Sequence, residues 1–530
     1  MSSQSPESPH PPIPQSVIPQ SDIPKSLALE VTKWIEEDPD QVTRNQLEQW
    51  LANGDLTSLT SSFSGFLEFG TAGLRGALGP GPSRMNRAVV SKTATGLASY
   101  MKKKGLTSIV IGRDARYGSE DFTRDTAEIM SGAGMKVFVL PRPLPTPVLA
   151  YAVKKLSCGV GVMVTASHNP PQDNGYKVYL GGVIDGVTYN GSQIIAPADK
   201  EISEEISRSP SLNEVPRSKE WTVLGEEIID SYIEQTAKLA PRPGSLKIVY
   251  TAMHGVGTEV LRKVFAQAGF DQPILVKEQA DPDPDFPTVA FPNPEEPGAI
   301  DMSLALAKKV DADLVIANDP DADRCAGAIH DPRHGWRMLR GDEVGALLGE
   351  YIARNSSENS KSSGYFANSI VSSSILGKIA GHYSIPFTET LTGFKYLSKV
   401  SNLRFGYEEA LGYAVDSHTV NDKDGISAAL MLAQLAADLR REGKTISDLL
   451  DEIWTRHGFH GTRQISVRTS SVEQINSILS NLRSNTPSTL AGFTVTRFDD
   501  LERPSDGLPP TNGVRFSLAG NIRKIGRAHV

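Results

Sequence analysis

The sequence predicts an α/β protein of several domains, and three observations carry that expectation. A strand–glycine loop–helix–strand unit recurs along the chain. The strands that follow each copy open into polar loops. At 530 residues the chain is too long for one hydrophobic core and divides into roughly 3 or 4 domains.

Taken in order, residues 1–25 hold seven prolines and six serines and no apolar stretch. That composition excludes a secretory signal and predicts a disordered tail. From Ser26 onward, Leu27, Leu29, Val31 and Trp34 fall at helical spacing, and 46–51 resembles a second helix. The first repeat has a strand at 108–112, a loop with Gly118-Ser119, a helix ending at Ala133-Gly134 and a strand at 136–140. The second has a strand at 247–251, a loop at 255–258, a helix at 259–268, a stop at Gly269 and a strand at 273–276. A further strand, 159–164, leads into Thr165-Ala166-Ser167-His168-Asn169-Pro170. Its counterpart, 313–317, leads into Asn318-Asp319-Pro320-Asp321-Ala322-Asp323-Arg324. A weaker third copy runs from Gly364 to Thr392-Gly393-Phe394-Lys395. Strands alternating with helices predict three related mixed α/β domains with largely parallel sheets. The polar loops sit at the carboxyl ends of strands, where such sheets place function.

The polar stretch 203–219 reads as a connection, and 356–363 as a surface turn. The acidic, proline-rich 280–297 reads as a long irregular loop of the kind that is often functional. From Ser466 short strands and a helix predict a smaller α+β domain. The expected divisions are a tail at 1–25, then domains at 26–218, 219–335, 336–462 and 463–530.

Charge and composition exclude other classes. Lysine and arginine number 54 against 62 acidic residues, a net charge of −8 with no long basic block, which disfavours nucleic acid as a partner. No run approaches the roughly 18 apolar residues of a membrane helix. Two cysteines, Cys158 and Cys325, cannot form a disulfide scaffold and suit a reducing, cytoplasmic setting.

The chemistry concentrates in the loops. Asp319, Asp321 and Asp323 alternate after an apolar strand, with no basic partner that the sequence identifies. Crowded carboxylates repel unless a cation compensates, and hard oxygen ligands select Mg²⁺, Mn²⁺ or Ca²⁺. An EF-hand fails, because Arg324 stands where its glycine belongs and His330 where its glutamate belongs. A solvated acidic turn is the competing reading. Ser167 alone would be a turn residue, and no Gly-x-Ser-x-Gly elbow surrounds it. Its company raises it: the aspartates, Lys177 in Asp-Asn-Gly-Tyr-Lys, and a glycine-rich loop with Arg75 that could receive an anion.

These strings resemble the α-D-phosphohexomutase superfamily, in particular its phosphopentomutase and fungal phosphoribomutase branch. The matching motifs are FGTAGLRG at 69–76, TASHNPPQDNGYKVY at 165–179, DPDADR at 319–324, TLTGFKYL at 390–397 and EEALGY at 408–413. They stand in family order over residues from about 40 to 520. The resemblance implies three related domains around a cleft plus a smaller fourth, in a monomer acting on a small phosphosugar. It implies that Ser167 stores a phosphoryl group and that Asp319, Asp321 and Asp323 hold Mg²⁺ with a phosphoserine oxygen. Lys177 would be the general acid/base, its pKa lowered by nearby cations, with His168 and Arg75 beside it. Lys395, Glu409 and Arg324 would contact the sugar phosphate; for Arg324, a purely structural pairing with the acidic loop is the alternative. A sugar bisphosphate would be activator and intermediate. Leu411 stands where many hexomutases place serine, which implies a pentose preference, with Leu411 and Tyr413 as an apolar wall of the sugar pocket. A hexose-specific phosphoglucomutase, a bisphosphate synthase of the same fold and a non-catalytic sugar-phosphate binder are the alternatives.

The family's fourth domain carries a loop resembling Arg-Pro-Ser-Gly-Thr-Glu-Pro-Lys that grips the distal phosphate. Arg503-Pro504-Ser505 only mimics it, because Asp506-Gly507 follows and Leu508-Pro509-Pro510 lies downstream. Beyond about Gly520 the match ends. The final Ile525-Gly526-Arg527-Ala528-His529-Val530 is what ATCGGAAGAGCACACGTC encodes, a string resembling a sequencing-adapter read. The expectation is a truncated fourth domain without the gripping loop, exposed apolar surface there, and weakened binding of sugar phosphates.

Overall fold

A computed structural model describes residues 23–70, 73–356, 364–465, 472–505 and 507–527. Thr71 and Ala72 of the glycine-rich loop, most of the 1–25 tail, most of the 356–363 turn, and Asp506 lie outside these residues.

The chain opens on helices Lys25–Glu37, Gln41–Asn53 and Leu56–Ser62. Asp40 and Asp55 cap the second and third by accepting from Val42 and Ser58 backbone N–H groups. Their apolar faces meet through Val31, Leu47 and Leu59.

Three sheets then follow one plan. In the first, Ser108–Arg113 lies parallel to Lys136–Val139 on one side and to Val160–Val164 on the other. Asp173–Leu180 pairs antiparallel with Val160–Val164. In the second sheet the corresponding strands are Ile248–Thr251, Ile274–Leu275, Leu314–Ala317 and Ala326–Asp331, again with only the last antiparallel. In the third they are Tyr365–Ser369, Phe387–Thr390, Leu403–Glu408 and Gly412–Ala414. The near-continuous apolar runs of the parallel strands in the first two sheets fit sheets covered on both faces.

The third repeat keeps the same order of strands and helix. The loop equivalent to 165–172 and 318–325 is 409–411, after the third strand. Thr392–Lys395 instead follows Phe387–Thr390, the strand on the opposite edge.

The stretch 203–219 is also more than a connection. Helix Ala198–Ser207 runs into it and buries Ile202, Glu205 and Ile206. A Cβ on Gly96 of helix Arg87–Lys103 would lie 2.5 Å from the Ile206 backbone nitrogen, so the two helices pack at backbone contact. Ser and Glu on its outer face disguised an amphipathic helix. The first sheet also takes in Thr222–Val223.

Helix Gly425–Arg441 is buried along nearly its whole length and sits between the second and third sheets. Asp424 caps it, accepting from the Ile426 and Ser427 N–H groups. The last unit is helix Val472–Ser484 on an antiparallel sheet of Thr489–Leu490, Phe493–Asp500, Gly513–Leu518 and Ile522–Arg527. It docks on the third unit where Leu501, Leu508 and Ile525 meet Ile370 and Leu391. Arg503-Pro504-Ser505 lies in the turn region after Phe493–Asp500, with the Arg503 N–H on Asp500 O. Ile478, Phe493 and Ile522 are exposed there. Ala528, His529 and Val530 lie outside the described residues.

No helix among the described residues is long and apolar enough to cross a membrane.

Candidate active site

The equivalent third-strand loops of the three sheets converge. Each contains one non-glycine residue in the left-handed region: Ser167 at φ 52°, Ala322 at 54° and Leu411 at 63°. Such backbone is costly for residues with side chains and persists only where surroundings enforce it.

Ser167 is buried, and its Oγ donates to Asp319 Oδ2 across 2.7 Å, from the first unit to the second. His168 Nδ1 lies 3.3 Å from the same Oγ, and its ring lies 6.0 Å from that of Phe291 on the long loop. Burial, with Arg324 and Arg75 nearby, pulls the His168 pKa well below the ordinary histidine value, so the ring is neutral. Arg75 stands at the exposed edge and reaches Asn169 Oδ1 at 3.3 Å.

Asp319, Asp321 and Asp323 are all buried and bring carboxylate oxygens within 4.8 Å of one another. Contrary to the sequence reading, they have basic partners. Lys177 Nζ lies 2.6 Å from Asp321 and 2.9 Å from Asp323, and Lys423 Nζ lies 3.3 Å from Asp323. The expected lowering of the Lys177 pKa is also overturned. Burial pulls it down, but Asp321 and Asp323 outweigh burial and leave it raised. Burial and repulsion from Asp321 and Asp323 push Asp319 up to about 8. Asp321 is held low, because Lys177 more than offsets burial.

The oxygens suit a hard cation. Asp321 Oδ1 and Asp323 Oδ1 are buried without a hydrogen-bond partner. Buried polar atoms are rarely left so, and two orphaned carboxylate oxygens beside Ser167 Oγ form an all-oxygen donor set.

Arg324 joins the second unit to the third. Its Nη1 donates to Ala410 O at 3.0 Å, and its Nε lies 3.9 Å from both Asp319 and Asp323. Glu409 is half-buried, and its Oε2 accepts from Ser369 Oγ at 3.0 Å and Ser372 Oγ at 2.8 Å. Lys395 is half-buried, with its Nζ 5.0 Å from the centre of the Tyr396 ring. The structure thus gathers Ser167, His168, Lys177 and the aspartates, and ties Arg324 to both loops.

Leu411 and Tyr413 do not form the expected pocket wall. Both are fully buried, and the Tyr413 hydroxyl donates to Gly341 O at 3.1 Å. The left-handed turn at Leu411 directs its side chain into the core. Neither side chain therefore distinguishes a pentose from a hexose.

Sequence reasoning missed Lys423 and Thr146, whose Oγ1 donates to Asp321 Oδ2 at 2.6 Å. Lys423 sits in an Asn-Asp-Lys-Asp run at a helix start, a signal that reads as an ordinary cap. Thr146 opens helix Thr146–Lys155 and carries no mark beyond its flanking prolines.

A buried serine against a carboxylate triad, in a cleft ringed by lysine and arginine, defines a phosphoryl-transfer site. Three successive models of the phosphoglucomutase/phosphomannomutase family, its α/β/α domains I, II and III, match residues 67–212, 230–332 and 340–457. A Haemophilus influenzae protein named "Probable phosphomannomutase" is 50% identical over 450 residues, covering 84% of this chain and 90% of that protein. A human protein named "Phosphopentomutase" is 35% identical over 529 residues, covering 91% of this chain and 84% of its own length. A Saccharomyces cerevisiae protein named "Phosphoribomutase" is 36% identical over 446 residues, covering 76% and 70%. The crystal structure of a phosphoglucomutase/phosphomannomutase family protein from Burkholderia thailandensis shares the fold, with a TM-score of 0.64, 19% identity and coverage of 86% and 90%. The chain belongs to the phosphoglucomutase/phosphomannomutase family and is an intramolecular phosphotransferase, a phosphosugar mutase.

Proposed function

We propose that the chain interconverts the 1-phosphate and 5-phosphate of ribose or deoxyribose, and acts more weakly between glucose 1-phosphate and 6-phosphate. The observation that carries the chemistry is the 2.7 Å hydrogen bond from Ser167 Oγ to Asp319, which sets a hydroxyl against the acidic triad. In this reading Ser167 carries the phosphoryl group. A sugar hydroxyl attacks it, the new O–P bond forms as the Ser167 O–P bond breaks, and a sugar bisphosphate results. The bisphosphate turns in the cleft, and Ser167 takes back the other phosphoryl group.

Lys177, which Asp321 and Asp323 hold protonated while Ser167 is unphosphorylated, gives its proton to the sugar oxygen that leaves when Ser167 is rephosphorylated, and once neutral it accepts the proton of the next attacking hydroxyl. Neutral His168 and charged Arg75 face the transferring group and orient it. Asp319, Asp321, Asp323 and the serine oxygen would hold Mg²⁺, which when bound offsets the roughly −2 charge of the phosphoserine as a Lewis acid. Lys395, Glu409 and Arg324 hold the sugar phosphate. The two buried free cysteines suit a cytoplasmic setting.

Support for a pentose comes from the relatives named phosphopentomutase and phosphoribomutase. A second reading, a hexose phosphate, is favoured by the Haemophilus relative at 50% identity. Steady-state kcat/KM on ribose 1-phosphate, glucose 1-phosphate and mannose 1-phosphate decides between them. The highest value for ribose 1-phosphate supports the proposal; a clear preference for either hexose transfers the assignment to the second reading.

A further inference from the structure

The loop that carries Ser167 has few internal supports. The Ser167 N–H donates to Thr165 Oγ1, Asn169 N–H to Ala166 O, and Asp173 N–H to Pro170 O. None of these fixes the carbonyl of Ser167 itself, although its φ of 52° needs an outside constraint.

That constraint is one side chain. Arg116 enters from the loop after the neighbouring parallel strand Ser108–Arg113. Its Nη2 donates to Ser167 O at 2.7 Å and to Asn169 O at 2.6 Å. Its Nη1 donates to Pro170 O at 2.8 Å and to Asp173 O at 3.1 Å. Four carbonyls of the loop thus converge on one guanidinium, whose side chain is 1% exposed. Asp114 holds the arginine in turn: Oδ1 accepts the Arg116 N–H at 3.0 Å, and Oδ2 lies 3.4 Å from Nε. Ser119 Oγ donates to the same Asp114 Oδ1 at 2.8 Å. From the second unit, Phe286 of the long acidic loop lays its ring 4.8 Å from the guanidinium carbon. The arginine is therefore fixed from the first unit by a carboxylate and from the second by an aromatic face.

We propose that Arg116 is the positioning residue for phosphoryl transfer: it holds Ser167 in its left-handed turn and so sets Oγ against Asp319. The inference rests on Ser167 being the phosphoryl carrier. Arg116 touches no reacting atom. It acts through the backbone, and only a planar fork reaches four carbonyls at once. A lysine ammonium has three donors on a flexible stem and cannot reproduce the pattern. Loosening the fork moves Ser167, and a displacement of about 1 Å at a reacting atom costs on the order of 10²-fold in rate. Lys395 and Glu409, on the third unit, are untouched by that change, so substrate affinity stays.

The experiment compares Arg116→Met, Arg116→Lys and Arg116→Ala with Ser167→Ala in the full chain. It reads kcat and KM separately, and follows by intact mass the rate at which glucose 1,6-bisphosphate phosphorylates the protein. The expected result is a kcat loss on the order of 10²-fold in the methionine and lysine variants, with KM within about threefold and phosphorylation slowed in step. Millimolar guanidinium should partly restore kcat in Arg116→Ala by refilling the site of the fork. Wild-type kcat in Arg116→Lys would show that charge alone suffices and would overturn the proposal. So would a KM rise that accounts for the whole loss. If Arg116→Met does not fold, Arg116→Lys gives the same split. Full activity in Ser167→Ala would remove the carrier reading itself; inactive Ser167→Ala beside a fully active Arg116→Met would remove only the role of Arg116.

Discussion

The loops 165–172 and 409–411 hold equivalent places in their sheets, and each turns on one left-handed residue, Ser167 or Leu411. Their side chains do opposite things. The first aims a buried hydroxyl at Asp319 and sits among Lys177 and three carboxylates. The second sends Leu411 into the core and leaves Glu409 half-buried, steadied by two serine hydroxyls. The comparison teaches a division of labour. In the proposed mechanism the end that handles the phosphoryl group is buried and already assembled, where electrostatic positioning is worth most. The end proposed to meet the sugar is less buried, and Ser372, which steadies Glu409, also offers its carbonyl to Arg523 of the last sheet. Damage at the first end should abolish turnover, whereas damage at the second should alter affinity.

The largest effect is expected from the triad. Asp321→Ala should lower kcat by about 10³-fold or more, with the sugar-phosphate KM little changed. A chelator should abolish turnover and added Mg²⁺ restore it, followed by steady-state assay. Undiminished turnover in excess chelator would break the comparison at its stronger side.

A smaller effect is expected at the sugar end. Glu409→Gln should raise KM by roughly 10-fold, since one charged hydrogen bond to a sugar hydroxyl is lost. Phosphorylation of Ser167 should stay normal, as intact mass would show. A loss of phosphorylation in this variant would mean that the two ends are not separable.

The smallest effect concerns the joint between the first and third units. Lys399 Nζ donates to Ser192 Oγ and, at 3.2 Å, to Gln193 O, and lies 4.1 Å from the centre of the Tyr189 ring. Burial, partly opposed by Asp422, lowers its pKa to about 7. The unfolded chain therefore binds the proton more tightly, and stability rises as pH climbs from about 7 toward the ordinary lysine value. Lys399→Met should flatten that rise and lift Tm by a few degrees at neutral pH, measured by thermal melts across pH. An unchanged pH slope would show that this lysine keeps its charge at no cost.

Much of this was legible in the sequence, for physical reasons. The repeat of strand, glycine loop and helix exposed three related sheets, because turns and apolar runs are local signals. Asp319, Asp321 and Asp323 were legible as a crowded carboxylate cluster that needs compensation. What compensates them in the fold was not: Lys423 and Thr146 arrive from 100 or more residues away in the chain, at Asp323 and Asp321 respectively. The direction of Leu411 was invisible too, because a left-handed turn reverses the side chain and composition carries no trace of it. Helix Ala198–Ser207 was hidden by a polar outer face over a narrow buried stripe.

Everything proposed for the cleft depends on Ser167 carrying the transferred phosphoryl group beside the aspartate triad. Incubation with glucose 1,6-bisphosphate and Mg²⁺, followed by intact-mass and peptide analysis, tests it most directly. One phosphate is expected on the peptide containing Ser167, lost when a sugar monophosphate is added, and absent from a folded, nearly inactive Ser167→Ala variant. Normal mutase turnover by Ser167→Ala, or a phosphate found on another residue, would contradict it.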